Sequence, residues 1–313
     1  ADYQLDCFYI SQKLKHYCDA LSYKNFLSLE ANIELNVWFQ EFLEGSTFLK
    51  EVSVKVYYLV MKMLLYPDQE EYFHQAKSLL RENTDKFPHS ELNTLYIYLK
   101  NYCIDTKINS GHSEYFVELF EIFRVLLEEK ILISEGVLDP QDYKNIITVG
   151  LHIKKFKWVE HFIQQYTDML PKDNQENALN YNLAKVYFTQ QQYPKVIEQL
   201  QEVEYHQLVY ALGSKLILLR TYYELKEFLA LDSLIDSFRI YLRRNKMISK
   251  DVQQKYLNVL RFVKKLSNTN VNDTAAITKV KKQINECKAL ADKNWILEKA
   301  EELDRSKSRL NTG

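Results

Sequence analysis

Glycine and proline are scarce, with 6 and 5 residues in a chain of 313. Together they make up about 3.5 %, against an ordinary usage of about 12 %. Strand-rich folds need a turn former every eight to twelve residues or so. All-β, collagen-like and low-complexity classes are therefore excluded. Long apolar runs are also lacking. A bilayer span needs about 20 residues, and the closest run, Val54–Leu65, is interrupted by Lys55 and Lys62. No membrane partner is expected. The first ten residues, ADYQLDCFYI, carry two acids and no basic leader region. The chain opens on Ala1, which reads as a processed or truncated start with sequence upstream.

Chemistry-bearing motifs are equally thin. Neither GxGxxG, GxxxxGK[ST] nor GxSxG occurs, so no glycine-rich loop cradles a phosphate and no nucleophile elbow is present. Cys7, Cys18, Cys103 and Cys287 form no CxxC pair and read as free, buried thiols in a reducing cytoplasm. His16, His74, His89, His112, His152, His161 and His206 are scattered, and only His152 and His161 fall on adjacent helices of one hairpin. Neighbouring acids such as Glu70–Glu71, Glu128–Glu129 and Glu301–Glu302 splay apart on a helix and do not converge on one atom. No catalytic constellation, metal site or cofactor is expected.

What the chain has is a core. The apolar fraction is 46 % at a formal net charge of −1, which is outside the composition of disordered chains. The length allows one large or two ordinary domains. Apolar positions recur at helical spacing: Phe228, Leu231, Leu234, Ile235, Phe238 and Leu242 trace one face of a 3.6-residue helix. Short breaks at Gly45–Ser46, Pro67–Asp68, Phe87–Pro88, Asn109–Gly111, Gly136–Pro140 and Pro171–Asp173 separate about fourteen helices, with capping residues at several starts. The expected class is all-α.

The helices repeat. AKVYFTQQQYPKVIEQL (184–200) aligns with LRTYYELKEFLALDSLI (219–235) at an offset of 35. Tyr193, Val196 and Leu200 fall on Phe228, Leu231 and Ile235, and Phe156, Val159 and Ile163 lie 37 residues upstream of the first three. Phe73, Ala76 and Leu80 keep the same spacing. Pro88 and Pro171 follow Phe73 and Phe156 by fifteen residues, and Ala76 and Ala184 stand at small-residue positions. This pattern resembles the tetratricopeptide repeat (TPR), most clearly over 58–88 and 144–243, and is also similar to bacterial TPR-like proteins. The chain departs from the motif in having no tryptophan at its fourth position and in placing Val159, Val196 and Leu231 where alanine is usual.

The resemblance implies a right-handed α-solenoid of antiparallel hairpins, continuous over 1–268, with a capping helix and tail over 269–313. It also implies a concave groove lined by first helices. The positions twelve and eight residues before each turn aromatic would face it: Lys144 and Thr148, Tyr181 and Lys185, Leu216 and Arg220. The alternative is a groove that packs against the chain's own terminal helix. The Lys/Asn pattern of carboxylate-clamp TPRs is not reproduced, so chaperone tails are not an implied ligand.

Charge is uneven along the chain. Residues 1–150 hold 14 Lys/Arg and 23 Asp/Glu, net −9; residues 151–313 hold 27 and 19, net +8. Halves of opposite sign can steer a charged partner or favour head-to-tail contact with another copy. Within 239–265 nine bases face one acid. Arg239, Arg243 and Lys246 step along one helix face, and Arg261 and Lys265 along the next. The expected function is a noncatalytic, cytoplasmic scaffold that binds a protein or acidic peptide through the groove, the basic strip, or both. The second reading is a nucleic-acid-associated or regulatory protein whose output domain lies upstream.

Overall fold

Helical patterning with so few breakers leaves each segment one stable backbone state. The computed structural model, which describes residues 2–27, 37–201 and 208–310, is accordingly all-α, with 81 % of the chain helical. His206 lies outside the described residues. Among those described, fifteen α-helices fall into two compact units: residues 1–162 with 168–171, and residues 163–167 with 172–313. No helix among them is long and apolar enough to cross a membrane.

The first unit holds α1 (Asp2–Leu27), α2 (Val37–Glu44), α3 (Val52–Leu65), α4 (Glu71–Glu82), α5 (His89–Asn101), α6 (Tyr115–Glu128), α7 (Pro140–His152) and most of α8 (Phe156–Tyr166). The apolar run at Val54–Leu65 is its central helix. α3 packs against α1 and α4 and buries Val54, Val56, Tyr57, Val60, Met61 and Met63 completely, while Lys55 stays exposed. Lys62, carried into this environment, keeps its charge through Glu44 at 2.9 Å. Buried tyrosines turn their hydroxyls to acceptors: Tyr57 donates to Glu91 at 3.0 Å, Tyr98 to Asp19 and Tyr102 to the Pro67 carbonyl at 2.7 Å. Ahead of α7 a ribbon of two residues per strand, β1 (Ile133–Ser134) and β2 (Val137–Leu138), turns through Glu135 and Gly136 at φ 52° and 79°. Asp139 then caps α7 by accepting the amides of Gln141 and Asp142, with Pro140 in the first turn.

The second unit holds α9 (Lys172–Thr189), α10 (Tyr193–Gln201), α11 (Leu208–Glu224), α12 (Phe228–Arg244), α13 (Lys250–Ser267), α14 (Thr274–Glu286) and α15 (Lys293–Leu310). Consecutive helices from α9 to α15 pack on one another, and α9 also packs on α11. Ser249 and Asp273 cap α13 and α14. Residues 269–313 carry two helices where one was expected, because Cys287–Asp292 leaves helical geometry. Both helices join the core through Val280, Ile284, Trp295, Ile296 and Ala300.

The 37- and 35-residue offsets recur in the backbone. Lys154, Gln191 and Lys226, each two residues before a turn aromatic, are left-handed at φ 59°, 60° and 57°. In each hairpin the next residue's amide reaches back five positions: Lys155 to the Gly150 carbonyl, Gln192 to that of Tyr187, Glu227 to that of Tyr222. These are three copies of one Schellman cap, closed without glycine. The unit carrying Phe73 turns differently. α3 and α4 are joined across Pro67 with no left-handed residue, although Phe73, Ala76 and Leu80 are fully buried as the pattern predicts.

Candidate peptide-binding cavity

In the second unit, α9 buries Ala178, Asn182 and Val186, which leaves Tyr181, Lys185, Phe188 and Thr189 on its flank at helical steps of 4, 3 and 1. On α11, Gly213, Leu216, Ile217 and Arg220 form the matching stripe. The two stripes, with Val209 and Tyr256 of α13, line a cavity of about 280 Å³. Gly213 lets it close. A β-carbon there would stand 2.6 Å from Tyr181 Cε2 and 2.8 Å from its hydroxyl oxygen, so the tyrosine ring lies directly on the α11 backbone. Tyr210 meets the same ring edge-on at 5.5 Å.

The walls are aromatic and the polar groups cationic. Lys185 Nζ lies 5.8 Å from the Tyr181 ring centroid. The Arg220 guanidinium stands 5.8 Å from Phe188 and 5.4 Å from Trp295 of α15, and its Nε and Nη2 both pair with Asp292 Oδ2. Burial pushes the Asp292 carboxyl up, against the opposing pull of Arg220. Burial likewise raises the Tyr181 and Tyr256 hydroxyls, which stay neutral donors. The site thus sets flat aromatic surfaces beside Lys185 and beside an Arg220 whose charge is met by Asp292.

Four of the expected groove residues, Tyr181, Lys185, Leu216 and Arg220, thus come together. Lys144 and Thr148 lie in the other unit, one turn apart and exposed on α7, where the Thr148 hydroxyl bonds the Lys144 carbonyl. The basic strip divides. Arg239 is tied to Asp236 at 2.8 Å, while Arg243 and Lys246 are exposed. Arg261 and Lys265 line clefts of about 380 and 560 Å³ between α13 and α14, and Lys265 reaches Gln283 at 2.5 Å. Phe188, Gly213, Tyr256, Asp292 and Trp295 were not anticipated. Gly213, one of six glycines and placed inside a helix, was the signal available in the sequence. His152 stacks on Phe116 with ring centroids 3.7 Å apart, and no group of three or more His, Cys, Asp or Glu among the described residues is placed to hold a metal ion. In comparisons with family models, curated protein sequences and solved structures, nothing matches this chain.

Proposed function

We propose that the chain is a noncatalytic, TPR-like α-solenoid whose second unit binds an extended acidic peptide of a partner protein. The observation that carries this is the convergence of Lys185 and Arg220, from the first helices of two successive hairpins, on one aromatic-walled cavity. The α9–α11 packing and the three identical hairpin caps support the repeat reading. The test is selection of a displayed random dodecapeptide library on the intact chain and on Lys185→Glu. Enrichment of Asp/Glu with aromatic residues, lost in the variant, supports the proposal; unchanged selection by the variant refutes it.

A second reading, binding to a nucleic-acid backbone, draws on the exposed Arg243, Arg244, Lys246 and Lys250 around the α12–α13 turn. It is distinguished by salt. Phosphate contacts make log K fall with log salt by about 0.7–0.9 per phosphate neutralised, a slope that charge reversal at Arg243 and Lys246 lowers and that Lys185→Glu leaves unchanged.

A further inference from the structure

Arg220 belongs to the cavity, yet its carboxylate partner comes from the chain's own C-terminal region, 72 residues on. Two aromatic rings stand against the guanidinium, Phe188 from the cavity wall and Trp295 from α15, and one carboxylate oxygen accepts from two of its nitrogens, Nε and Nη2. That arrangement is a recognition site for a carboxylate, and Asp292 already fills it.

The two residues supplied by the C-terminal region are held very differently. Trp295 is fixed: its indole N–H donates to Glu224 at 3.2 Å, Lys299 pairs with the same Glu224 at 2.8 Å, and Ile296 and Ala300 are fully buried beside it. Asp292 sits at the end of the non-helical stretch Cys287–Asp292, at φ 55°, a left-handed conformation that residues with a β-carbon hold at a cost. That stretch is fastened by Asn258 Nδ2 on the Ala289 carbonyl at 2.7 Å, by Lys293 Nζ on the Asn285 and Cys287 carbonyls at 2.7 and 3.3 Å and by the Ala291 amide on the Lys255 carbonyl at 3.5 Å, while Cys287, Leu290 and Ala291 pack partly buried against the core. Removing a carboxylate from a half-buried arginine is unfavourable, whereas exchanging one carboxylate for another keeps the charge paired throughout.

We propose that Asp292 is an intramolecular stand-in for the ligand: an acidic side chain of the bound peptide replaces it on Arg220, between the Phe188 and Trp295 rings, and loop 287–292 withdraws. This rests on the reading of the cavity as an acidic-peptide site and assigns that site its regulation. The binding-competent state is the one in which Asp292 is off Arg220, so apparent affinity scales with its population.

The experiment uses the full chain and a fluorescein-labelled peptide of four Glu-Tyr repeats, read by anisotropy. Asp292→Asn binds about tenfold more tightly or better, the gain expected when a state populated about one time in ten becomes the rule. Adding Arg220→Gln to Asp292→Asn abolishes that gain, and Asp292→Glu, which restores the carboxylate, binds as the parent does. Hydrogen exchange on the unaltered chain gives a readout independent of variant folding: the amides of 288–292 exchange faster when the probe is bound. Unchanged or weaker binding by Asp292→Asn, or slower exchange at 288–292, overturns the exchange of carboxylates. In that case a loss of binding in Lys185→Gln leaves the cavity reading standing. No binding by the parent and by Asp292→Asn alike overturns both.

Discussion

Gly150 lies in the last turn of α7, where alanine would ordinarily add about 1 kcal/mol of helix stability. Here a β-carbon would stand 2.5 Å from Val159 Cγ2 of α8, with Phe120 Cε2 at 3.6 Å and Trp158 Cε3 at 3.9 Å. Carbon atoms pack at about 3.5–4 Å, so roughly 1 Å has to be found. Val159 has no room to supply it, being fully buried. Overpacking of this kind costs about 1–3 kcal/mol, which exceeds the propensity gain. Gly150→Ala is therefore expected to destabilise the chain by about 1 kcal/mol net, a fall of about 2–4 °C for a unit of this size. Val159→Ala alone costs about 1–3 kcal/mol for its two lost methyl groups. It also removes the atom in the way, so the double variant is expected to be more stable than the sum of the singles by about 1–2 kcal/mol. Urea unfolding followed by far-ultraviolet circular dichroism and tryptophan fluorescence measures all four corners of the cycle. A rise in the urea midpoint for Gly150→Ala, or additivity within about 0.5 kcal/mol, refutes the close approach of α7 and α8 at this glycine.

Three further outcomes are expected. Lys154→Gly, Gln191→Gly and Lys226→Gly each relieve a left-handed β-carbon residue. The relief of about 1–2 kcal/mol outweighs the added unfolded-chain freedom of about 0.5–1 kcal/mol, so each should raise the urea midpoint, and a fall at all three refutes the shared cap. Tyr96→Phe removes a fully buried hydroxyl that has no hydrogen-bond partner among the described residues and is expected to stabilise by about 1 kcal/mol. Burial pushes that phenol up to about 12. Its neutral form is favoured by folding, so its contribution is complete below the unfolded value of about 10 and is lost as pH rises toward 12. Tyr96→Phe should accordingly flatten the fall in stability over that window, measured by urea midpoints at pH 9 to 12. Gly213→Ala, which drives a β-carbon into Tyr181, should weaken binding of the Glu-Tyr peptide at least about threefold while far-ultraviolet dichroism stays unchanged; unaltered binding refutes the role of Tyr181 in the cavity wall.

The helices and their hairpin turns were legible because they depend on local chemistry. The aromatics Phe156, Tyr193 and Phe228 mark turns whose left-handed residues repeat at the same offsets. The small-residue position was legible only in half. Val159 is bulky for a close helix approach, and Gly150 stands opposite it: the space needed for two helices to approach is a sum over both, and a single-position pattern sees one share. Likewise Ala184 on α9 shares a buried cluster with Val196 on α10. The divided C-terminal cap was missed because Cys287–Asp292, which leaves helical geometry, includes neither glycine nor proline.

Charge was the least legible feature, since a count along the chain ignores which groups meet. The window 239–265 holds nine bases and one acid, but Asp232 and Asp236 lie just upstream of it on α12. The fold pairs Asp236 with Arg239 at 2.8 Å and Asp232 with Lys264 at 2.5 Å, so part of the apparent excess is answered by acids outside the window. The same holds more strongly at the cavity. Tyr181, Lys185, Leu216 and Arg220 stand on the neighbouring helices α9 and α11, whereas Asp292 and Trp295 reach Arg220 from the C-terminal region. A half-buried arginine among aromatic rings demands a carboxylate, and both the burial and the carboxylate that answers it are decided by tertiary packing. The carboxylate here is intramolecular, supplied 72 residues downstream by the loop between α14 and α15.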